Sequence, residues 1–330
     1  LNMNKFVSLG DLESANGGAI LINKNKVNCV LNNCKFDSCA GTNGGAIYIM
    51  YSGSGSTYNC AITASEFTGC QSKTHGGAIY VQITQSNSHS FVVTNTEFKN
   101  NQAGKSGGAI YAMVRDTCTI QHCTFTQNSG SDVGSSLWCR IGWNDRYNLN
   151  ELVIEENTFT FTPTKKSSVN VYIDTYVLSD DTTPNGNLQL GRCTFAGTKE
   201  GITGYYQLQI SEHNSKFESI KFSGCNCVND AYGTVSLPYS YNPNATFAFN
   251  CQSIGTCQLE PVEPTPGPSK DSQGFSVYPE RILLSYREYP PTLTLVKAKF
   301  SNLEYLKNDI GGGAIAIDRV NCTITDCAFD

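Results

Sequence analysis

With 330 residues, only 15% of them charged, and a net charge of −5, the chain has no basic stripe to neutralise phosphates, so nucleic acid is not an expected partner. No apolar run reaches the roughly 18 residues of a membrane-crossing helix, so no membrane span is expected in this segment. Fifteen cysteines and a composition rich in Asn, Ser and Thr favour an extracellular or cell-surface location; in the cytosolic alternative the cysteines would be small core residues.

The first landmarks are Phe6 and Gly17-Gly18-Ala19-Ile20, and from there two marks keep time with each other. A block of alternating polar and apolar residues, two bend residues and a phenylalanine runs from Asn28 to Phe36, followed by Gly44–Ile47. Asn59 to Phe67 leads to Gly76–Ile79, Ser90 to Phe98 leads to Gly107–Ile110, and Thr117 to Phe125 leads to the weaker Gly134-Ser135-Ser136-Leu137-Trp138. Fainter anchors stand at Phe159, Phe195 and Phe222, and Ile254 takes the anchor's place after Phe247-Ala248-Phe249. The pattern returns with Phe300, Gly312–Ile315 and the block from Asn321 to Phe329. Most steps are 27 to 36 residues, and only the step from 254 to 300, at 46, needs an insertion.

Short apolar runs with β-branched or aromatic residues at alternate places fit strands and no helical period. Three short strands per period predict an all-β fold, a right-handed parallel β-helix of about ten coils, each strand lying about 4.8 Å from its equivalents above and below. Residues 1–330 then form a single β-helix domain. The proline-rich stretch from Glu260 to Pro268 cannot donate to a ladder and reads as a surface insertion at about 258–274; a linker between two solenoids is the other reading.

Register follows from the spacing. Seven places before the anchor stand Cys29, Cys60, Phe91, Cys118, Leu152, Leu188, Leu293 and Cys322, and five before it Leu31, Ile62, Val93, Ile120, Ile154, Leu190, Leu295 and Ile324. Both sets share one strand face and are expected inside. The glycine pair opens the third strand, where positive φ or close packing of coils is needed. There Ile47, Ile79 and Ile110 point inward, while Tyr48, Tyr80, Tyr111 and Trp138 form an outward row. Ser167-Ser168-Val169-Asn170-Val171 and Tyr232-Gly233-Thr234-Val235 read as the same strand with the motif worn down.

A phenylalanine, two variable residues and an asparagine, followed by Gly-Gly-Ala-Ile, resembles the repeat signature of the chlamydial polymorphic membrane proteins and related surface repeats in some protists. Phe98-Lys99-Asn100-Asn101 with Gly107–Ile110 carries the resemblance best, and Phe125 with Asn128 repeats it. It covers residues 1–145 and 296–330, and the middle only faintly. The resemblance implies a secreted β-helical passenger acting in adhesion and brings no catalytic residue. The asparagine's place holds Cys39, Cys70, Cys225 and Cys257, and elsewhere Thr162, Thr198, Leu9 and Leu303.

Cys39 with Cys70, and Cys225 with Cys257, fall at matching places of successive coils, within disulfide reach; each pair is a bridge candidate, with stacked thiols as the alternative. Asn244-Ala245-Thr246 and Asn321-Cys322-Thr323 are glycosylation acceptors in a eukaryotic host. No closely spaced Cys-x-x-Cys units point to zinc, so no metal, cofactor or catalytic residue is expected. Polysaccharide-cleaving β-helices need several carboxylates on adjacent coils beside a basic residue. The registers give only Glu155-Glu156 beside Gln121-His122 and Gly191-Arg192, read as a solvated cluster.

The expected function is therefore an extracellular, non-enzymatic β-solenoid, part of a surface adhesin or fibre. Its outward aromatics Tyr48, Tyr80, Tyr111 and Trp138 would meet glycans or surface proteins, or else simply reinforce the sheet. A carbohydrate-active lyase or hydrolase is the alternative. Both ends fall in mid-pattern, which leaves end-to-end self-association into a filament, or continuation in a longer chain, as further expectations.

Overall fold

In the computed structural model the chain is a parallel β-solenoid, and among the described residues every element is a strand. The structure describes residues 5–7, 16–22, 28–51, 59–83, 89–140, 150–162, 168–174 and 186–197, and beyond them the backbone of strands from Tyr206–Ile210 to Ala328–Phe329.

Equivalent strands of successive coils stack in parallel. The strands that lead to the anchor, Cys29–Asn32, Asn59–Thr63, Ser90–Thr94, Thr117–Gln121, Asn150–Glu155 and Gly186–Gly191, begin a 10-stranded lead sheet that runs on to Asn321–Thr325. The anchor strands, from Lys5–Val7 through Lys35–Asp37, Glu66–Thr68, Glu97–Lys99, Thr124–Thr126, Thr158–Phe161 and Thr194–Gly197 to Asn226–Val228, form an 8-stranded phenylalanine sheet. The strands after the glycines include Ile20–Ile22, Ile47–Tyr51, Ile79–Ile83, Ile110–Val114, Leu137–Arg140 and Val169–Asp174, and form a 9-stranded tyrosine sheet.

A 4-stranded sheet was not expected. Its two-residue strands, Ala40–Gly41, Gln71–Ser72, Gln102–Ala103 and Ser129–Gly130, lie between the phenylalanine and tyrosine sheets. Three strands per coil become four there because the bend after each anchor continues the ladder, as in Gln71 N–H to Cys39 C=O at 2.8 Å and Gln102 N–H to Cys70 C=O at 2.9 Å.

The inward positions agree with the spacing. Cys29 pairs with Cys60, Cys60 with Phe91, Phe91 with Cys118, Cys118 with Leu152 and Leu152 with Leu188. Phe6, Phe36, Phe67, Phe98, Phe125, Phe159 and Phe195 form one column of stacked rings, with centroids 4.6 to 5.3 Å apart. From Phe36 onward these rings are essentially fully buried. They fill the lumen that coil closure creates, and each contributes hydrophobic burial worth about 1.5–3 kcal/mol.

Single residues with positive φ turn each coil. Asn33, Ala64, Asn95, His122, Glu156 and Arg192, with φ from 48° to 54°, mark the corner before the anchor; Ser38, Gly69, Asn100 and Gln127 mark the one after it. The third corner uses glycine, and space explains why. A Cβ on Gly76 (φ 66°) would lie 2.2 Å from the Ile79 carbonyl oxygen, and one on Gly77 would lie 2.0 Å from that of Gly108 in the next coil. At Gly69 a Cβ would meet only Ser38 Oγ at 3.5 Å. The first glycine of each pair thus serves the turn, and the second serves the close approach of coils.

Bends interrupt the ladder, and side chains of the following coil make good the loss. Asn101 Nδ2 donates to Phe67 C=O at 3.0 Å while its Oδ1 accepts from Cys70 N–H at 2.9 Å. Asn128 treats Phe98 and Asn101 in the same way, at 3.0 Å each. Asn157 repeats the device at the corner before the anchor, accepting from Cys123 N–H and donating to Ile120 C=O, both at 2.8 Å.

Two expectations in the middle of the chain are corrected. Leu190 pairs with Phe222 and Phe195 with Cys227, so Phe222 stands five places before the anchor and Cys227 takes the anchor's place. Leu137 pairs with Val171 and Trp138 with Tyr172, one residue on from the expected alignment of Ser167 to Val171. Of the anticipated insertion at about 258–274, residues 259–273 lie outside the described residues. It is followed by an antiparallel hairpin of Gly274–Tyr278 and Arg281–Ser285, the second strand of which pairs in parallel with Ile315–Ile317.

The two uses of glycine separate by mutation. Gly69→Ala is expected to cost about 1–2 kcal/mol for its left-handed backbone, and Gly77→Ala more than about 4 kcal/mol through backbone collision; equal denaturation midpoints would refute the distinction. Asn101→Ala should lose about 1–3 kcal/mol for each buried backbone group left without its partner, read from urea unfolding of the parent and variant.

Candidate functional site

The tyrosine sheet carries the expected outward row. Tyr48, Tyr80, Tyr111 and Trp138 are in register, and Tyr172, which sequence spacing missed by one residue, pairs beside Trp138. The rings lie face to face: centroid separations are 5.0, 5.1 and 4.0 Å, with interplanar angles of 6°, 1° and 2°. Each interior ring therefore covers its neighbours' faces and offers only an edge. Tyr48 and Tyr80 are half-buried, whereas Tyr111 and Trp138 are 8% and 5% exposed.

Hydroxyls and charges finish the row. Tyr48 and Tyr80 donate along their own strands, to Met50 Sδ at 3.1 Å and Gln82 Oε1 at 2.6 Å. His75 leans on Tyr111, with ring centroids 4.6 Å apart. Arg140 lies over Trp138, 5.2 Å from its centroid, and pairs with Asp174 at 2.6 Å. Burial pushes the Tyr111 phenol up to about 12 and raises those of Tyr48 and Tyr80. The phenols are therefore neutral donors at ordinary pH. The second outward row of this face is Met50, Gln82, Met113 and Arg140. Tyr, Trp, Met and Arg are the residue types enriched at protein interfaces.

The acidic pair stands elsewhere, at the corner between the lead and phenylalanine sheets. Glu155 is 8% exposed; it accepts from Gln121 Nε2 at 2.9 Å and from Gln189 Nε2, with Arg192 at 3.7 Å. Glu156 accepts from Arg192 Nε at 2.6 Å and meets His122 Nδ1 at 2.8 Å. Its hydrogen bond and charge hold the exposed Arg192 above its ordinary value. These groups satisfy one another across three coils. Two carboxylates converge here beside Arg192, each already held by side chains of neighbouring coils. Among the described residues no group of three or more His, Cys, Asp or Glu could hold a metal.

The cysteine expectations divide. Cys39 and Cys70 sit at equivalent places, but the structure keeps them as thiols rather than a bridge. Each sulfur lies near carbonyls, Cys39 Sγ near Phe6 and Asp37 (3.8 and 3.7 Å), Cys70 Sγ near Phe36 and Thr68 (both 3.7 Å). The proposed Cys225–Cys257 register fails. Cys257 pairs with Gly233 in the tyrosine sheet, and Cys225 lies outside the described residues. Of the glycosylation acceptors, Asn244 lies outside the described residues, and Asn321 opens the lead-sheet strand Asn321–Thr325.

Residues 95–113 match the model of the Chlamydia polymorphic membrane protein repeat. The chain thus carries that repeat in the coil that holds Phe98, Asn101, Gly107, Gly108 and Tyr111, where anchor, clamp, glycine corner and aromatic row all coincide. No curated protein and no solved structure matches the chain.

His75 and the fully buried His89 supply a pH dependence. Burial lowers both pKa values; Lys105 adds to the shift at His75 against Asp132, and Arg115 adds to it at His89 against Asp116. The folded state then binds fewer protons than the unfolded one below the usual histidine value of about 6.5, so stability falls as pH drops from there toward the lowered folded values. Melting temperature is expected to decline across that window. His75→Asn, which copies Asn43 of the preceding coil, should flatten part of the decline; an unchanged slope would remove His75 from the account.

Proposed function

We propose that this chain is part of an extracellular or cell-surface adhesin or fibre: a right-handed parallel β-helix whose full length, residues 1–330, is one domain of about ten coils with three principal strands each. Right-handed connection is the strong rule for parallel strands joined within one sheet. Unity of the domain is supported by the pairing of Thr246–Asn250 with Thr292–Val296 across the proline-rich step. The function is display of a side face. The observation that carries it is the aromatic row on a coil that matches the polymorphic membrane protein repeat.

Of the two expected partner classes, a surface protein suits the face better than a glycan. Sugar rings bind by lying on aromatic faces, and here those faces are turned on each other. What remains is ring edges, hydroxyls, methionines and an arginine, a surface suited to close packing against another protein.

Beads coated with the full chain are expected to adhere to a cell monolayer. A Tyr48→Ser/Tyr80→Ser variant should lose about tenfold or more of that binding, the scale of removing interface aromatics, while still melting cooperatively as a folded chain. A glycan array run in parallel should show no difference between parent and variant. Undiminished adhesion by the variant would remove the aromatic face from the proposal.

A further inference from the structure

We propose that Cys39 and Cys70 form a redox latch between adjacent coils, open as the two thiols described above and closed as a disulfide on oxidation. The bond from Gln71 N–H to Cys39 C=O at 2.8 Å and the pairing of Ala40 with Gln71 fix the two cysteines in the same register. Their Cα atoms are then about one rung, 4.8 Å, apart, inside the range a disulfide spans. Both side chains point the same way, each toward the carbonyl two residues earlier at 3.7 Å.

The position itself is the second argument. Asn101 and Asn128 hold this place in the next two coils and clamp the preceding bend with two hydrogen bonds of 2.9 to 3.0 Å. A thiol at 3.7 to 3.8 Å from the same anchor carbonyl is a weaker clamp. In these two successive coils the place is held instead by cysteines in register with each other, which can be joined covalently.

Cys29 and Cys60 are also in register and their thiols are in contact within the lead sheet, so they are the competing pair. Cys39 and Cys70 differ in standing at the bend after the anchor, between strands, where the asparagine clamp of the next two coils is missing. Contact with the Cys39 thiol, and then burial, hold the Cys70 thiol far above its ordinary pKa, so reaction belongs to folding or to opening of the bend. One cysteine thiolate attacks a low-molecular-weight disulfide such as oxidised glutathione, forming a mixed disulfide and releasing one small thiolate. The other cysteine displaces the second, so two protein thiols become one disulfide and two small thiols are formed.

The test is to refold the full chain in oxidised and in reduced glutathione, alkylate it and map peptides by mass. A Cys39–Cys70 linked peptide is expected only from the oxidised sample. In urea, the oxidised parent should gain on the order of 100-fold in folding equilibrium constant over the reduced form, as for a loop of this length. The Cys39→Asn/Cys70→Asn variant, which carries the residue native to the next two coils, should fold and show no such gain. Recovery of Cys39 and Cys70 as alkylated thiols from the oxidised sample, or linkage of Cys29 to Cys60 instead, overturns the proposal.

Discussion

The constraint on which this molecule depends is that the chain must bend sharply several times in every coil and still return to hydrogen-bond with itself one rung away. Single residues in the left-handed region solve it. They stand in vertical files: Asn33 to Arg192 before the anchor, Ser38 to Gln127 after it, and Gly17 to Gly134 at the third corner. A file in which the Cβ points to open space accepts Asn, Ala, His or Glu; the file hemmed in by its own backbone accepts glycine. The most visible sequence motif is therefore a record of crowding, not of chemistry.

Once the bends are fixed, repetition does the rest. A residue type that suits one coil lies directly against its copy in the next, so phenylalanines become a column inside and tyrosines a column outside. The same rule produced the ion ladder of His122, Glu156 and Arg192, three successive members of one corner file. Its members pair with each other, as expected of side chains that stack because the backbone does. Such ladders are structural first, and the tyrosine sheet stands out because its second row adds Met50, Met113 and Arg140 to the aromatics.

Much of this was legible in the sequence. The anchor column, the inward pairs from Cys29 to Leu188 and the aromatic row all follow from spacing alone, because a parallel coil converts sequence distance into vertical neighbours. Failure came where the glycines fade. Phe222 reads as an anchor because every inward position accepts a large apolar residue, so an aromatic side chain cannot say which inward place it fills; the bends decide that, and at non-glycine corners almost any residue serves. The slip at Ser167 has the same cause, and in a strand one residue exchanges inside for outside. Exposure of the aromatic row was beyond reach, since stacking covers ring faces in a way that alternation along one strand does not reveal.

The asparagine clamps have a direction. Asn101 completes the corner at Phe67, Asn128 the corner at Phe98, and Asn157 the corner at Ile120, always reaching from the later coil to the earlier. Each turn of the spiral is thus finished by its successor. In a chain that winds up as it emerges, amino end leading, every added rung completes the corner bonds of the one beneath it. Threading built in this way is vectorial by construction, like a zip with a single slider.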